Sequence, residues 1–136
     1  MEQSNLYQIT VNRDQLLLIA NCLEDICRFA AGQPELYNTI LHLLARHDDS
    51  GKKKNEIEAH LYKIKKIIYP NLDTDDSYGY DGGNQTDSIR KNLIGNTYQI
   101  YYEILHFLAL DEKWNNVFSG PTLPSGSFGT VKVDKI

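Results

Sequence analysis

The stretch SIRKNLIGNTYQIYYEILHFLAL, residues 88–110, decides the fold class. Ile89, Leu93, Thr97, Ile100, Ile104, Phe107 and Leu108 recur at the helical period, and Ile94, Tyr98, Tyr101, Leu105 and Leu110 form a second stripe beside them. No proline interrupts the run, and Asp87 stands where an N-cap belongs. One long helix is therefore predicted. Its apolar band is wider than a one-sided amphipathic helix needs, so it is either wrapped by other elements or shared with another subunit.

Working outward, the segment N-terminal to it, Asn71 to Asp87, reads NLDTDDSYGYDGGNQTD. A loop of that length is functional or disordered, and its tyrosines argue for order. Before it, Ile57, Leu61, Ile64 and Ile68 step by four, three and four, which predicts a helix over Glu56 to Tyr69 with Asn55 as N-cap and Pro70 as its stop. A charged connection, Arg46 to Lys54, separates it from a shorter apolar helix over Glu35 to Ala45. Arg13 to about Ala31 carries Leu16, Ile19, Ala20, Leu23, Ile26, Cys27 and Ala30 on one broad face. Asn12 and Gln15 form a capping box at its start, and Gly32 and Pro34 close it and open the next helix.

At the two ends the period changes. Tyr7-Gln8-Ile9-Thr10-Val11 and Thr130-Val131-Lys132-Val133-Asp134 alternate as strands do. The expectation is a single mostly α domain over residues 1–136: four helices, plus a small two-stranded β ribbon joining the chain termini. Such a ribbon is marginal alone, so it would pack on the helices or cross a subunit boundary. With the second stripe of the long helix, this predicts a homo-oligomer.

Composition narrows the function. The 136 residues are 41% hydrophobic and 24% charged with a net charge of −4, ordinary for one globular domain and wrong for a general polyanion binder. Long nucleic acid is not an expected partner. No apolar run reaches the ~18–20 residues of a membrane span, and the polar N-terminus is no signal peptide, which places the protein in the cytoplasm. Cys22 and Cys27 lie five apart in a helical pattern and read as two buried thiols of a reducing cytoplasm rather than a disulfide. No metal is expected. His42, His47, His60 and His106 have no ligand partner at helical spacing, and the Asn71-Asp73-Asp75 run lacks the glycine and the final acid of a calcium loop. Asn84-Gln85-Thr86 spells a glycosylation sequon, which matters only for a secreted chain.

No nucleophile signature, nucleotide-hydrolase glycine loop or cofactor motif is present. The most informative constellation is the loop Tyr78-Gly79-Tyr80-Asp81-Gly82-Gly83 leading into Arg90 and Lys91. Two cations in the first turn of a helix oppose its dipole, and a bound anion would relieve that. Glycines let backbone approach a ligand, and tyrosines stack on rings. The candidate ligand-binding residues are thus Tyr78, Gly79, Tyr80, Gly82, Gly83, Arg90 and Lys91, with Arg28 as a further cation. The bland reading is that the glycines are turn residues and the tyrosines cover the core. Lys52, Lys53, Lys54, Lys63, Lys65 and Lys66 concentrate charge around the third helix, as a solvated face or as an anion-steering one. Turnover by Asp81 or Asp87 with a divalent metal is the least supported function.

Arg28-Phe29-Ala30-Ala31-Gly32-Gln33, Tyr78 through Gly83, and Arg90-Lys91 with Tyr98 through Ile104 together resemble small proteins encoded by phages and mobile elements of gut bacteria. The likeness spans about residues 7–133. Proteins of that size and context include sponges that sequester cyclic-nucleotide or ADP-ribose-derived immune signals without cleaving them, commonly as oligomers. What the resemblance implies is sequestration of a small anionic, nucleotide-like ligand in a host cytoplasm. The alternative is a protein–protein interaction module that blocks or bridges a host or phage protein through the long helix and the Trp114–Phe118 segment.

Overall fold

A computed structural model describes residues 5–48, 50–79, 82–123 and 126–136. In it four α-helices follow one another: α1 (Arg13–Ala30), α2 (Tyr37–Leu44), α3 (Lys52–Ile68) and α4 (Ser88–Asp111). A short 3₁₀ turn, Val117–Ser119, follows α4. The capping box at α1 forms as its residues dictate, with Asn12 Oδ1 accepting from Gln15 N at 2.8 Å and Gln15 Oε1 from Asn12 N at 3.0 Å.

α1 and α4 pack antiparallel and make the core. Arg13 at the start of α1 grips Glu112 just past the end of α4 with two bonds of 2.9 Å, while Cys27 near the end of α1 places its Sγ 3.3 Å from the Ile94 carbonyl near the start of α4. Ala20, Cys27, Ala31, Ile94, Tyr98, Tyr101, Ile104, Leu105 and Leu108 are buried between them. Tyr98, Tyr101 and Leu105, the second stripe of the long helix, are therefore core rather than a subunit face. Burial drives the Tyr101 phenol well above the ordinary tyrosine range.

The chain after α4 explains why that helix needs apolar residues on so many sides. Residues 116–123 and 126–128 run back along it as a strap. Tyr102 donates to the Val117 carbonyl at 2.9 Å, His106 Nδ1 to the Phe118 carbonyl at 2.7 Å, and Thr122 to Glu103 at 2.6 Å. Asn96 Oδ1 then accepts from Phe128 N at 2.9 Å. Trp114 and Phe118, expected as an interaction surface, are half-buried against the α1–α4 core.

The expected β ribbon is wrong: no strand exists among the described residues. Both described terminal segments lack regular secondary structure, and they do not pair. Tyr7 and Ile9 are 90% and 74% exposed, and at the other end Val133 packs on the helical core while Lys135 reaches Asp111 at 3.3 Å. Alternation at the C-terminus serves docking onto the helices. Two strands alone bury too little apolar surface to offset their ordering cost.

α2 and α3 are attached more lightly. α2 lacks a cap of its own, and α1 supplies one: the buried Asp25 carboxylate accepts from Asn38 N at 3.1 Å and Thr39 N at 2.6 Å. α3 begins four residues earlier than the Asn55 cap predicts. Gly51 takes the left-handed conformation there (φ 73°), and Asp48 accepts from Lys53 N and Lys54 N, so a carboxylate from the preceding loop replaces the cap. Along its length α3 packs on α2 and on the loop after it, and it reaches α1 and α4 only through Tyr69 at its end.

Candidate functional site

The loop between α3 and α4 is held by three anchors. Lys65, buried despite its charge, donates to the Thr74 and Asp76 carbonyls at 2.7 Å each. Tyr69 donates its hydroxyl to the Ala30 carbonyl, which ties the end of α3 to the end of α1. Tyr78 N then donates to the Ala31 carbonyl at 2.7 Å. These bonds set two rings side by side, Tyr69 and Tyr78, with centroids 5.1 Å apart at 67°.

Gly82 shows why a glycine is needed where the loop turns into α4. Its φ is +73°, and an added Cβ would sit 3.2 Å from Ile94 Cβ. The requirement is a close approach to the core rather than to a ligand. Gly79 also has positive φ, 86°, and is half-buried; Gly83 is exposed. Gln85 N donates to the Gly82 carbonyl at 3.0 Å, and the Gln85 side chain turns inward. Its Oε1 accepts from Asp87 N at 3.0 Å. Its Nε2 is buried with no hydrogen-bond partner, the one such side-chain atom among the described residues.

At the first turn of α4, Asp87 Oδ1 caps Arg90 N at 3.0 Å. The Arg90 side chain turns away from Asp87 and lays its guanidinium over the Tyr69 ring, 4.9 Å from the centroid. Neither Arg90 nor Lys91 makes an ion pair among the described residues, and both are exposed. Burial raises the Tyr69 phenol pKa, and the Arg90 charge works against that rise. The result is a row of Tyr78, Tyr69 and Arg90 beside Lys91, at the positive end of a 24-residue helix.

The expected residues meet only in part. Tyr78, Gly79, Gly82, Gly83, Arg90 and Lys91 lie on this loop and helix start. Tyr80, with Asp81, lies outside the described residues. Arg28 is committed elsewhere, to Glu24 at 3.2 Å and Gln33 at 3.2 Å, so it is not a spare cation. Two members were missed. In the sequence Tyr69 stands only as the end of a helix before Pro70, and Gln85 only as the middle of a sequon. Position gave a signal for Tyr69, since an aromatic just before a helix-stopping proline sits at a junction where chain segments converge. Nothing local marks Gln85, because its burial is set by the turn at Gly82.

The clefts lie elsewhere. One of about 210 Å³ is walled by Tyr62, Lys63, Lys65, Lys66, Leu72 and Thr74, and one of about 230 Å³ runs from Gly32 to Glu35 and from Thr74 to Ser77 beside Tyr62. Both adjoin the loop on its α3 side. No group of three or more histidine, cysteine, aspartate or glutamate side chains is placed to hold a metal among the described residues, and no helix there is long and apolar enough to cross a membrane. The chain matches no protein-family model, no curated protein and no solved structure.

Proposed function

We propose that the protein is a non-enzymatic binder of a small anionic, nucleotide-like ligand, held at the start of α4. The observation that carries this reading is Arg90: a guanidinium laid on the Tyr69 ring, free of any acidic partner among the described residues, next to the equally free Lys91. Cations in a first helical turn are retained against the helix dipole, and a phosphate there gains both the dipole and the charges. The surface is open, so the ligand lies across it, with phosphate on Arg90 and Lys91 and its base toward Tyr78. The unpaired Gln85 amide supplies a donor if the loop shifts on binding. The resemblance to phage-type sponges points to the same ligand class, to a host cytoplasm and to a homo-oligomer. Since the second stripe of α4 is core, an assembly would use another face.

The test is a thermal-shift and calorimetric titration with cyclic dinucleotides, cyclic trinucleotides, ADP-ribose and cyclic ADP-ribose isomers. At least one stabilises the wild type, and the stabilisation disappears in Arg90→Ala/Lys91→Ala. Absence of any shift at several hundred micromolar refutes the reading.

A further inference from the structure

The helix furthest from the core carries the least balanced charge. α3 holds six lysines and two glutamates, whereas the rest of the chain holds eight basic and sixteen acidic residues. Lys52, Lys53 and Lys54 fill the first turn of α3, where the dipole disfavours cations, and the Asp48 carboxylate offsets only part of that. Three α3 lysines are engaged: Lys54 with Glu58 at 3.7 Å, Lys65 with two loop carbonyls, and Lys66 with the Pro70 carbonyl at 2.9 Å. Lys52, Lys53 and Lys63 are exposed and make no ion pair among the described residues.

The apolar side of the same helix is unfinished. Ile57, Leu61, Ile64 and Ile68 form a seam at the spacing that knobs-into-holes packing uses, yet α2 covers only one flank of it. Ile64 remains 41% and Ile68 37% exposed, and Ile67 beside them 80%. On α2, Leu41 and Leu43 are exposed as well. An aliphatic seam whose border carries two free lysines, Lys53 and Lys63, against one exposed glutamate, Glu56, is complementary in net charge to a helix with its own aliphatic seam bordered by acids.

We infer that α3 is a docking surface for an acidic amphipathic helix of a partner protein, seated along Ile57, Ile64, Ile67 and Ile68 with its carboxylates on Lys53 and Lys63. Isoleucines at the contact disfavour nucleic acid, whose backbone they cannot satisfy. The seam is narrow because α2 occupies one side, which fits one helix better than the broad apolar face a bilayer takes. The inference stands apart from the Arg90 site and survives or fails independently of it.

The probe is a synthetic 18-residue helix with leucine at the seam positions and glutamate flanking them, titrated into ¹⁵N-labelled full-length protein. Shift changes are expected on α3 and on the exposed residues of α2. Ile64→Asp/Ile67→Asp and, separately, Lys53→Glu/Lys63→Glu should each weaken binding at least tenfold. Arg90→Ala should leave it unchanged, and the unfolding midpoint of each variant shows that the fold persists. The inference is overturned by no binding at millimolar peptide, by shifts centred elsewhere, by equal binding of a lysine-flanked version of the peptide, or by binding to phosphatidylserine vesicles without binding to the peptide.

Discussion

The α1–α4 pair and the α2–α3 hairpin are built from similar fractions of leucine and isoleucine and end in opposite states. In the pair, side chains meet side chains: Ile94 is fully buried, Tyr98 and Tyr101 stack edge to face with centroids 5.5 Å apart, and the strap covers α4 from Asn96 to His106. In the hairpin, attachment runs through a handful of polar bonds, and the aliphatic seam of α3 stays half open. Amphipathic periodicity thus creates a face that can be buried without deciding what buries it. The pair supplies global stability, and the hairpin is the part free to open or to dock.

The sharpest way to break this contrast is a pair of matched truncations followed by urea unfolding. Ile94→Ala removes packing from a sealed site and should cost about 2–5 kcal/mol, while Ile64→Ala should cost less than about 1 kcal/mol. Equal losses would make α3 part of the same core. Next in size is Asp25→Ala. It strips the borrowed cap from α2 and leaves two buried-side donors unpaired, for a loss of about 1–3 kcal/mol. Amide exchange should rise in α2 while the centre of α4 stays protected; uniform acceleration would show that the hairpin is not a separate unit.

Tyr69→Phe is gentler. It keeps the ring beneath Arg90 and deletes only the bond to the Ala30 carbonyl, for roughly 1 kcal/mol and faster exchange at the end of α3. If ligand binding at the Arg90 site is unchanged in this variant, the ring is what that site uses.

The smallest expected effect lies at the far end of the α1–α4 pair. The Arg13 bonds, then the Trp114 indole, hold the Glu112 carboxyl below its ordinary range. A lowered folded-state pKa stabilises above the unfolded value of about 4.3, and that contribution is lost as pH falls through the folded pKa. Arg13→Ala should therefore lower the melting midpoint slightly at pH 7, with the difference between wild type and variant shrinking as pH falls below about 4.3. A difference that stayed constant through that acid range would assign Arg13 a packing role instead.

Residue order alone marked the four helices, because apolar spacing and most cap chemistry act within a few residues: Asn12 with Gln15, Asp87 before α4, Pro70 after α3, with only the α2 cap supplied from another helix. It also marked Arg90 and Lys91, since an uncompensated charge at a helix start is a local fact. Tertiary structure decided the rest. Whether Tyr101 faced core or partner depended on α1, whose Glu24, Cys27 and Arg28 surround its ring. Whether Tyr7–Val11 found a strand depended on where residues 130–134 docked. Arg28 was taken by Glu24 and Gln33, and Tyr69 came beneath Arg90 only because the ends of α1 and α3 converge. Sequence spacing fixes which side of a helix a group occupies, but contacts between segments distant in the chain depend on how whole faces compete for burial, and that competition is settled only when all of them pack.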